Sequence, residues 1–266
     1  MFLQFFGLKF NPFTKEIPTE QLFLSQDFKE LDSRLKYLQS TRGIGLIAGE
    51  PGTGKSTALR KYVKELNPAL YKPAYFSLAT VTVLEFYQGL ALELGEEPRH
   101  KKVHLFHQIQ NAISTLYDER RITPVIILDE IHLTSNKVLE DLRLIFNFQM
   151  DSQNPFILIL AGQPLIRNKL TLSINNPLRQ RLMVKHIMQG LNPQELDDFI
   201  SSRLKFAGVQ EEIFTTSAIE AIYAITNGFP RLINSLATAC LLSACENKVR
   251  LIDEEIVYLA QAELNI

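Results

Sequence analysis

Short apolar runs alternate with stretches of helical spacing between residues 44 and 188. Five runs predict buried strands, namely Ile44–Ala48, Ala74–Leu78, Val125–Leu128, Phe156–Ala161 and Lys185–Met188. Between these strands, apolar residues recur at intervals of three and four, as from Ala58 to Leu66 and from Phe106 to Leu116. Strands that alternate with helices predict an α/β fold, a parallel sheet with helices on both faces.

The chain changes character after Gly190, where only helical spacing remains. Asn192 is followed by a proline and then by Glu195 at the third helical position, which together predict a capped helix start. Further helices are predicted to open at Ser217, at Pro230 and after Asp253. The pattern therefore divides the chain into an N-terminal segment (1–42), an α/β core (43–189) and a small helical domain (190–266).

Composition narrows the classes of protein that the chain can belong to. Of its 266 residues, 46% are hydrophobic and 21% charged, which excludes a disordered or collagen-like protein. The 28 Lys and Arg against 29 Asp and Glu give a net charge of -1, so any nucleic-acid contact must come from a local basic patch. Cys240 and Cys245 are too few for a disulfide scaffold or a structural zinc site, and no apolar run approaches the ~20 residues of a membrane span. We expect a cytoplasmic protein with reduced thiols and no membrane partner.

The segment Gly49-Glu-Pro-Gly-Thr-Gly-Lys-Ser56 has the pattern G-x-x-x-x-G-K-[ST] of a phosphate-binding loop and lies between a predicted strand and a predicted helix. Backbone N–H groups and the helix amino terminus surround the phosphates in such a loop. Lys55 is expected to reach the β- and γ-phosphates and the Ser56 hydroxyl to bind Mg²⁺. The residues expected to bind ATP here are Gly49, Glu50, Pro51, Gly52, Thr53, Gly54, Lys55, Ser56 and Thr57.

Two acids follow the central predicted strand. Asp129 and Glu130 come directly after Val125–Leu128, and ligands bind open α/β sheets at the carboxyl ends of their strands. Asp129 is predicted to complete the Mg²⁺ site, and Glu130 to act as the general base for the attacking water. The string Asp-Glu-Ile-His132 is superficially a helicase box, but no second core of that kind is visible, so we expect His132 to pack or cap locally.

These motifs and several others occur in an order that resembles one branch of the AAA+ ATPases. The further segments are Phe5-Phe-Gly-Leu-Lys-Phe-Asn-Pro-Phe13, Leu22-Phe-Leu24, Gly162-Gln-Pro164, Leu178-Arg-Gln-Arg-Leu182 and Gly228-Phe-Pro-Arg-Leu-Ile-Asn234. Over essentially its whole length the chain is similar to ExeA-type secretion ATPases and to the TnsC/TniB-type ATPases of transposons. The resemblance implies a P-loop NTPase core with a helical lid, and hydrolysis of ATP to ADP and phosphate with Mg²⁺.

The resemblance also implies roles for polar residues outside the two motifs. Gln163 takes the position of sensor 1, close to the γ-phosphate or the water, unless it is only a turn residue before Pro164. Arg231, which follows Pro230, takes the position of sensor 2 in the lid, with a surface arginine as the alternative. Both of these residues and Pro230 are therefore expected at the nucleotide.

A further implication is an arginine finger that enters the site of a neighbouring subunit. Arg181 takes this position, with Arg179 as the second candidate; either is alternatively a solvated charge at a helix end. Within the N-terminal segment, which is expected to pack on the core near the nucleotide, four residues either line the adenine or belong to the core: Phe10, Pro12, Phe13 and Leu24.

A finger that acts in trans implies that ATP assembles copies of this chain into a hexamer-like ring or filament. The chain stops at Ile266, directly after the predicted lid, whereas ExeA-type proteins usually continue into a membrane helix and a peptidoglycan-binding domain. We therefore expect an ATP-dependent regulator of DNA transposition that assembles on double-stranded target DNA and recruits a DDE transposase. The alternative is a soluble ATPase of a secretion or envelope machine.

The predicted DNA contact is a basic cluster between the second and third strands, formed by Arg99, Lys101, Lys102 and His104. Contacts from such side chains to phosphates are independent of sequence and sensitive to salt. Glu96 and Glu97 lie beside the cluster, and a solvated loop is an equal alternative.

Overall fold

The computed structural model describes residues 2–77 and 82–264; Leu78, predicted to end the second strand, lies outside them. The chain divides into two compact units. The sheet unit consists of residues 30–51 and 55–188, and the helical unit consists of the chain up to Lys29, Gly52–Gly54 and the chain from Gln189. The N-terminal segment predicted over residues 1–42 is thus divided after Lys29.

Five parallel strands are found in the described part of the sheet unit, in the order β2-β3-β4-β1-β5. Their bounds are β1 (Gly43–Gly49), β2 (Tyr71–Ser77), β3 (Thr123–Asp129), β4 (Ile157–Gly162) and β5 (Leu182–Met188). The apolar residues of β3 and β4 are fully buried because these central strands are covered on both faces. The predicted α/β fold with a parallel sheet is confirmed.

Most of the first eight helices lie between consecutive strands along the chain. They are α1 (Phe2–Phe6), α2 (Gln26–Thr41), α3 (Lys55–Glu65), α4 (Val83–Glu93), α5 (Lys102–Ser114), α6 (Asn136–Ile145), α7 (Leu165–Thr171), α8 (Asn176–Gln180), α9 (Pro193–Phe206), α10 (Thr216–Thr226), α11 (Pro230–Glu246) and α12 (Glu254–Leu264). A π-helical turn, Thr115–Glu119, extends α5 toward β3.

The core of the sheet unit lies between the sheet and its helices. Phe86 and Leu90 of α4, with Leu105 and Ile109 of α5, are completely buried in the same cluster as β3 and β4. Each such side chain contributes about 1.5–3 kcal/mol through removal from water. This packing fixes α5, and therefore the connection that precedes it, against the sheet.

The helical unit begins its main helices with side-chain caps. As predicted, the Asn192 side chain accepts the Glu195 N–H (2.9 Å), and the Glu195 carboxylate accepts the Asn192 N–H (3.1 Å). The α10 cap is Thr215, two residues before the predicted Ser217; its hydroxyl accepts the Ala218 N–H at 3.1 Å, and Ser217 lies within the first turn. Asp253 caps α12 as predicted, accepting the Ile256 N–H at 3.2 Å.

The first residues of the chain pack into the helical unit. Phe13 is buried and meets Phe214 edge to face with ring centroids 6.2 Å apart, and Phe10 meets Phe206 at 5.1 Å. The Lys9 N–H donates to the carbonyl of Ala207 at 2.9 Å. The segment therefore contributes to the helical core, and the Phe13 ring, 4% exposed, has little surface left for an adenine.

A tight backbone contact joins the start of the helical unit to the turn before α11. Gly228 has φ +74°, and a Cβ at this position would lie 2.0 Å from the Leu191 carbonyl oxygen. The Leu191 N–H donates to the Gly228 carbonyl at 2.8 Å. Only glycine suits this position, because both the left-handed backbone and the close approach exclude a side chain.

Candidate nucleotide site

The P-loop has the backbone that its glycines predict. β1 ends at Gly49, α3 begins at Lys55, and the connecting residues Gly52 and Gly54 have φ +90° and +103°. Side chains rarely adopt these angles, so glycine is required at both positions. The Lys55 ammonium donates to the carbonyls of Gly49 (2.7 Å) and Glu50 (2.9 Å), which holds the side chain over its own loop.

Asp129 is the last residue of β3 and is 5% exposed. Its Oδ2 accepts the hydroxyl proton of Tyr75 (2.8 Å), and its Oδ1 accepts the Glu130 N–H (2.8 Å). Tyr75 lies on the adjacent strand β2, and its pKa is raised to about 12, first by burial and then by the hydrogen bond to Asp129. Sequence reasoning missed Tyr75, because a tyrosine within a strand carries no signal of its neighbour across the sheet.

Glu130 leaves the strand in a left-handed conformation, with φ 56° and ψ 30°. This conformation is unfavourable for a residue with a side chain and is concentrated at functional sites. The turn leaves the Glu130 side chain 45% exposed, whereas the adjacent Asp129 is buried. The two acids are therefore separated into a buried carboxylate and an accessible one.

His132 connects the end of β3 with the end of β4. Its Nδ1 accepts the backbone N–H of Gln163 (3.2 Å) and lies 3.4 Å from Glu130 Oε2. Gly162 makes room for the ring, since a Cβ there would lie 3.2 Å from the same nitrogen. His132 is buried and bonded locally, and it ties the half-buried Gln163 to the segment that carries Glu130.

Arg231 lies in the first turn of α11 and contacts Gly52, a P-loop glycine that belongs to the helical unit. Its N–H donates to the Gly52 carbonyl (3.3 Å), and a Cβ on Gly52 would lie 2.8 Å from the Arg231 Cβ. The Arg231 residue is exposed, and its guanidinium has no hydrogen bond or ion pair among residues 2–77 and 82–264. Gly52 is thus required for close approach as well as for its backbone angle.

The two candidate finger arginines differ in their surroundings. The Arg181 guanidinium, 15% exposed, pairs with Asp151 (2.7 Å) and donates to the carbonyls of Arg143 (3.1 Å) and Phe146 (2.7 Å). Arg179 is exposed at the end of α8, and no described residue pairs with it. The structure thus binds Arg181 within its own subunit and leaves Arg179 accessible.

The predicted basic cluster is also divided by the structure. Lys102 bonds both carboxylate oxygens of Asp141 at 2.8 Å and lies over the ring of Tyr87. Because Asp141 is buried, the half-exposed Lys102 compensates its charge, which gives Lys102 a structural role; its contact with phosphate stays a prediction. Arg99, Lys101 and His104 are exposed.

Comparison with known proteins identifies a family and several relatives that this chain is similar to. Residues 38–170, half of the chain, match the family described as an AAA domain. Over 92% of its length the chain is 30% identical to the General secretion pathway protein A of Aeromonas hydrophila, covering 45% of that protein. Over 49% of its length it is 29% identical to the ATP-dependent target DNA activator B of Escherichia phage Mu, covering 40% of it. The chain thus spans less than half the length of these relatives.

Among solved structures, that of Cdc6p from Pyrobaculum aerophilum matches 95% of this chain and 70% of its own, with a TM-score of 0.69 and 19% identity. At that identity the likeness shows the fold alone. No helix within the described residues is long and apolar enough to cross a membrane.

Proposed function

The chain belongs to the AAA domain family, and from that premise we propose that it is a Mg²⁺-dependent ATPase whose ATP-bound form assembles with itself on DNA. The observation that carries this proposal is the set of side chains at the carboxyl ends of adjacent strands. Lys55 follows β1, Asp129 and Glu130 end β3, and Gln163 follows β4. A cation, a buried carboxylate, an accessible carboxylate and an amide are the groups that phosphoryl transfer to water requires.

The donor set fits a nucleotide with its metal ion. Lys55 would bind the phosphates through its ammonium, and Ser56 and Asp129 would bind Mg²⁺ through oxygen atoms, the ligands that this ion prefers. Magnesium supplies neutralisation of the charge that develops on the phosphates. In the structure Lys55 bonds the carbonyls of Gly49 and Glu50, and Asp129 bonds the Tyr75 hydroxyl; phosphate oxygens would take the place of the carbonyls at Lys55, and Mg²⁺ would take the place of the hydroxyl at Asp129.

Glu130 is the residue proposed to accept the proton of the attacking water. Its exposed carboxylate is accessible to a water, as a general base must be. The imidazole of His132 is engaged through Nδ1 by the Gln163 N–H, so it orients the Glu130 and Gln163 segments instead of acting as the base. Arg231, in contact with Gly52, is proposed to bind the γ-phosphate of its own subunit.

Arg179 is the better-supported arginine finger, reversing the order that the resemblance implied. A role in a neighbouring site would cost Arg181 its ion pair with Asp151 and its hydrogen bonds to two carbonyls, whereas Arg179 has no such bonds among the described residues to lose. A finger in trans couples hydrolysis to assembly, so ATP acts between subunits of a ring or filament.

The finer proposal is that this assembly regulates DNA transposition in the cytoplasm by recruiting a DDE transposase. It is supported by the similarity to the ATP-dependent target DNA activator B of phage Mu, which covers about half of this chain. The competing function, an ATPase of a secretion machine, is favoured by the similarity to General secretion pathway protein A over 92% of the chain. Pull-down experiments distinguish the two functions: a regulator of transposition should retain a transposase, and a secretion ATPase should retain envelope proteins.

The ATPase proposal is tested by mixing inactive variants. Arg179→Ala should bind ATP without turnover, and Lys55→Ala should fail to bind ATP. If Arg179 acts in trans, a mixture of the two regains part of the ATPase activity, because Lys55→Ala subunits still supply Arg179. Arg181→Ala is the matched comparison: it should lose thermal stability, and its activity should not be rescued in this way. An active protein that remains monomeric at all concentrations contradicts the assembly.

A further inference from the structure

An open cleft of about 730 Å³ lies in the sheet unit beside α5 and carries an unusual set of cations. Lys72, Arg99, Lys101 and Arg120 line it, and we refer to it as the cationic cleft. Three of the five histidines of the chain, His100, His104 and His107, line it as well.

The cations of the cleft have no carboxylate partners among the described residues. Among the described residues that line the cleft, the one acid is Glu96. Its Oε2 lies 3.5 Å from the side-chain amide nitrogen of Gln108. Other cations of this unit do have carboxylate partners: Lys61 pairs with Asp32 and Glu65, and Lys102 pairs with Asp141. In a chain of net charge -1, the cleft is therefore a local concentration of uncompensated positive charge.

The shape of the cleft is held by polar contacts from the packed elements behind it. The Gln108 amide accepts the Arg99 N–H (3.2 Å) and donates to the Glu97 carbonyl (2.7 Å), so α5 fixes the backbone that carries the cations. The Lys72 ammonium donates to the Leu94 carbonyl (2.8 Å). Arg120 follows the π-helical turn, where its N–H donates to the Thr115 carbonyl.

The cleft lies at the opposite end of the strands from the nucleotide site. Lys72 is the second residue of β2, and Arg120 lies three residues before β3 begins. Asp129 ends β3, and a strand of that length separates the two ends by about 20 Å at ~3.3 Å per residue. The cleft is thus a second site, and its residues are not those proposed to bind ATP.

The chemistry of the lining selects phosphate groups. Pockets for small apolar ligands are lined mainly by hydrophobic and aromatic side chains, whereas this cleft presents cations, imidazoles and amides to solvent. We propose that the cationic cleft binds closely spaced phosphates, as in the sugar–phosphate backbone of double-stranded DNA. This inference rests on the DNA-binding function proposed above and assigns it to Lys72, Arg99, Lys101 and Arg120, without Lys102.

The first test measures DNA affinity as a function of salt for the double variant Arg99→Ala/Arg120→Ala. Each lost phosphate contact should flatten the slope of log K against log salt by about 0.9, so the double variant should lose nearly two units. Lys205→Ala, which removes an exposed cation from α9 in the helical unit, is the control and should leave the slope unchanged. DNA binding by the wild type with an unaltered slope in the double variant overturns the assignment.

The second test uses inorganic tripolyphosphate, with Mg²⁺ and ADP present so that the P-loop is filled. Histidine side-chain NMR signals of His100, His104 and His107 should shift on titration, and those of the buried His132 and His186 should not. The same shifts should be absent in the Arg99→Ala/Arg120→Ala variant, whose thermal unfolding should match the wild type because both side chains are exposed.

The two tests separate failure of the cleft from failure of the DNA function. If tripolyphosphate shifts the three histidines but the wild type binds no DNA, the phosphate site stands and its ligand is a soluble polyphosphate. If DNA binds but neither the slope nor the histidine signals respond to the double variant, the DNA function stands and the cleft is overturned.

Discussion

The two ends of the strands in the sheet carry the two sites proposed to bind phosphates, and these sites are built in different ways. After the carboxyl end of β1, a backbone loop contains two left-handed glycines and one lysine, and at the carboxyl end of β3 the Asp129 side chain is buried. At the amino ends, the cationic cleft uses exposed side chains from separate segments, and its backbone contributes only support.

This difference indicates how selective each site can be for its phosphate ligand. A site made of backbone groups and buried charge has fixed geometry, which suits one triphosphate and its reaction. A site made of long exposed cations adapts to phosphates of varying position, which suits a backbone read without regard to sequence. We therefore expect substitutions at the carboxyl ends to have large effects on nucleotides and those at the amino ends to have smaller, salt-dependent effects on DNA.

Lys55→Ala should have the largest effect. Loss of charge-assisted hydrogen bonds worth about 1.5 kcal/mol or more each predicts at least ~100-fold weaker ATP binding, and turnover should be abolished. Titration with a fluorescent ATP analogue measures the affinity. The response of the three cleft histidines to tripolyphosphate should be retained, and its loss would contradict the independence of the two ends.

Glu130→Gln should bind ATP and hydrolyse it at least ~100-fold more slowly, because the amide cannot accept the proton of the water. Single-turnover hydrolysis and nucleotide affinity, measured on the same preparation, separate chemistry from binding. Substantial hydrolysis by this variant would remove Glu130 from the role of base.

The neighbouring lysines Lys101 and Lys102 should behave in opposite ways. Lys102→Ala should lower the free energy of unfolding by about 2 kcal/mol, because it leaves the buried Asp141 carboxylate uncompensated; the half-exposed lysine keeps the loss below that of a fully buried pair. Lys101→Ala should leave stability unchanged and flatten the salt dependence of DNA binding by about 0.9. Denaturant unfolding and DNA titration of both variants test these two expectations. Equal effects of the two variants on DNA binding would contradict the assignment of different roles to Lys101 and Lys102.

Tyr75→Phe should have the smallest effect, and that effect should be confined to the affinity for Mg²⁺. Removing the hydroxyl that bonds Asp129 frees a carboxylate oxygen for Mg²⁺, and one hydrogen bond of about 1 kcal/mol predicts a fivefold lower Mg²⁺ concentration at half-maximal ATPase activity. A higher Mg²⁺ requirement would instead show that Tyr75 holds Asp129 in position for the metal. Lys205→Ala serves as the unchanged control.

The sequence was most informative where local backbone chemistry decides the structure. The strands, the Asn192 cap and the P-loop were predictable because each depends on residues close together in the chain, and the resemblance to AAA+ ATPases is confirmed by the matching family and relatives. The roles given to the site residues stay predictions.

Contacts between distant residues could not be predicted in the same way. The commitment of Lys102 to Asp141, 39 residues away, and of Arg181 to Asp151 depends on packing that no local pattern encodes. The burial of Phe13 against Phe214 has the same origin, and so does the meeting of Lys72 with Arg120 in one cleft. Spacing within the chain identifies candidate charges, but only the fold shows which of them are already neutralised.

We propose that ATP bound at the carboxyl ends of the strands governs the binding of DNA elsewhere in the assembly. Fluorescence polarisation of a labelled duplex, measured with ATP, with ADP and without nucleotide, tests it most directly. We expect strong binding with ATP, little sequence preference, and a steep loss of affinity between ~50 and ~200 mM salt. Absence of binding with every nucleotide at low salt would contradict it and favour the secretion-type function.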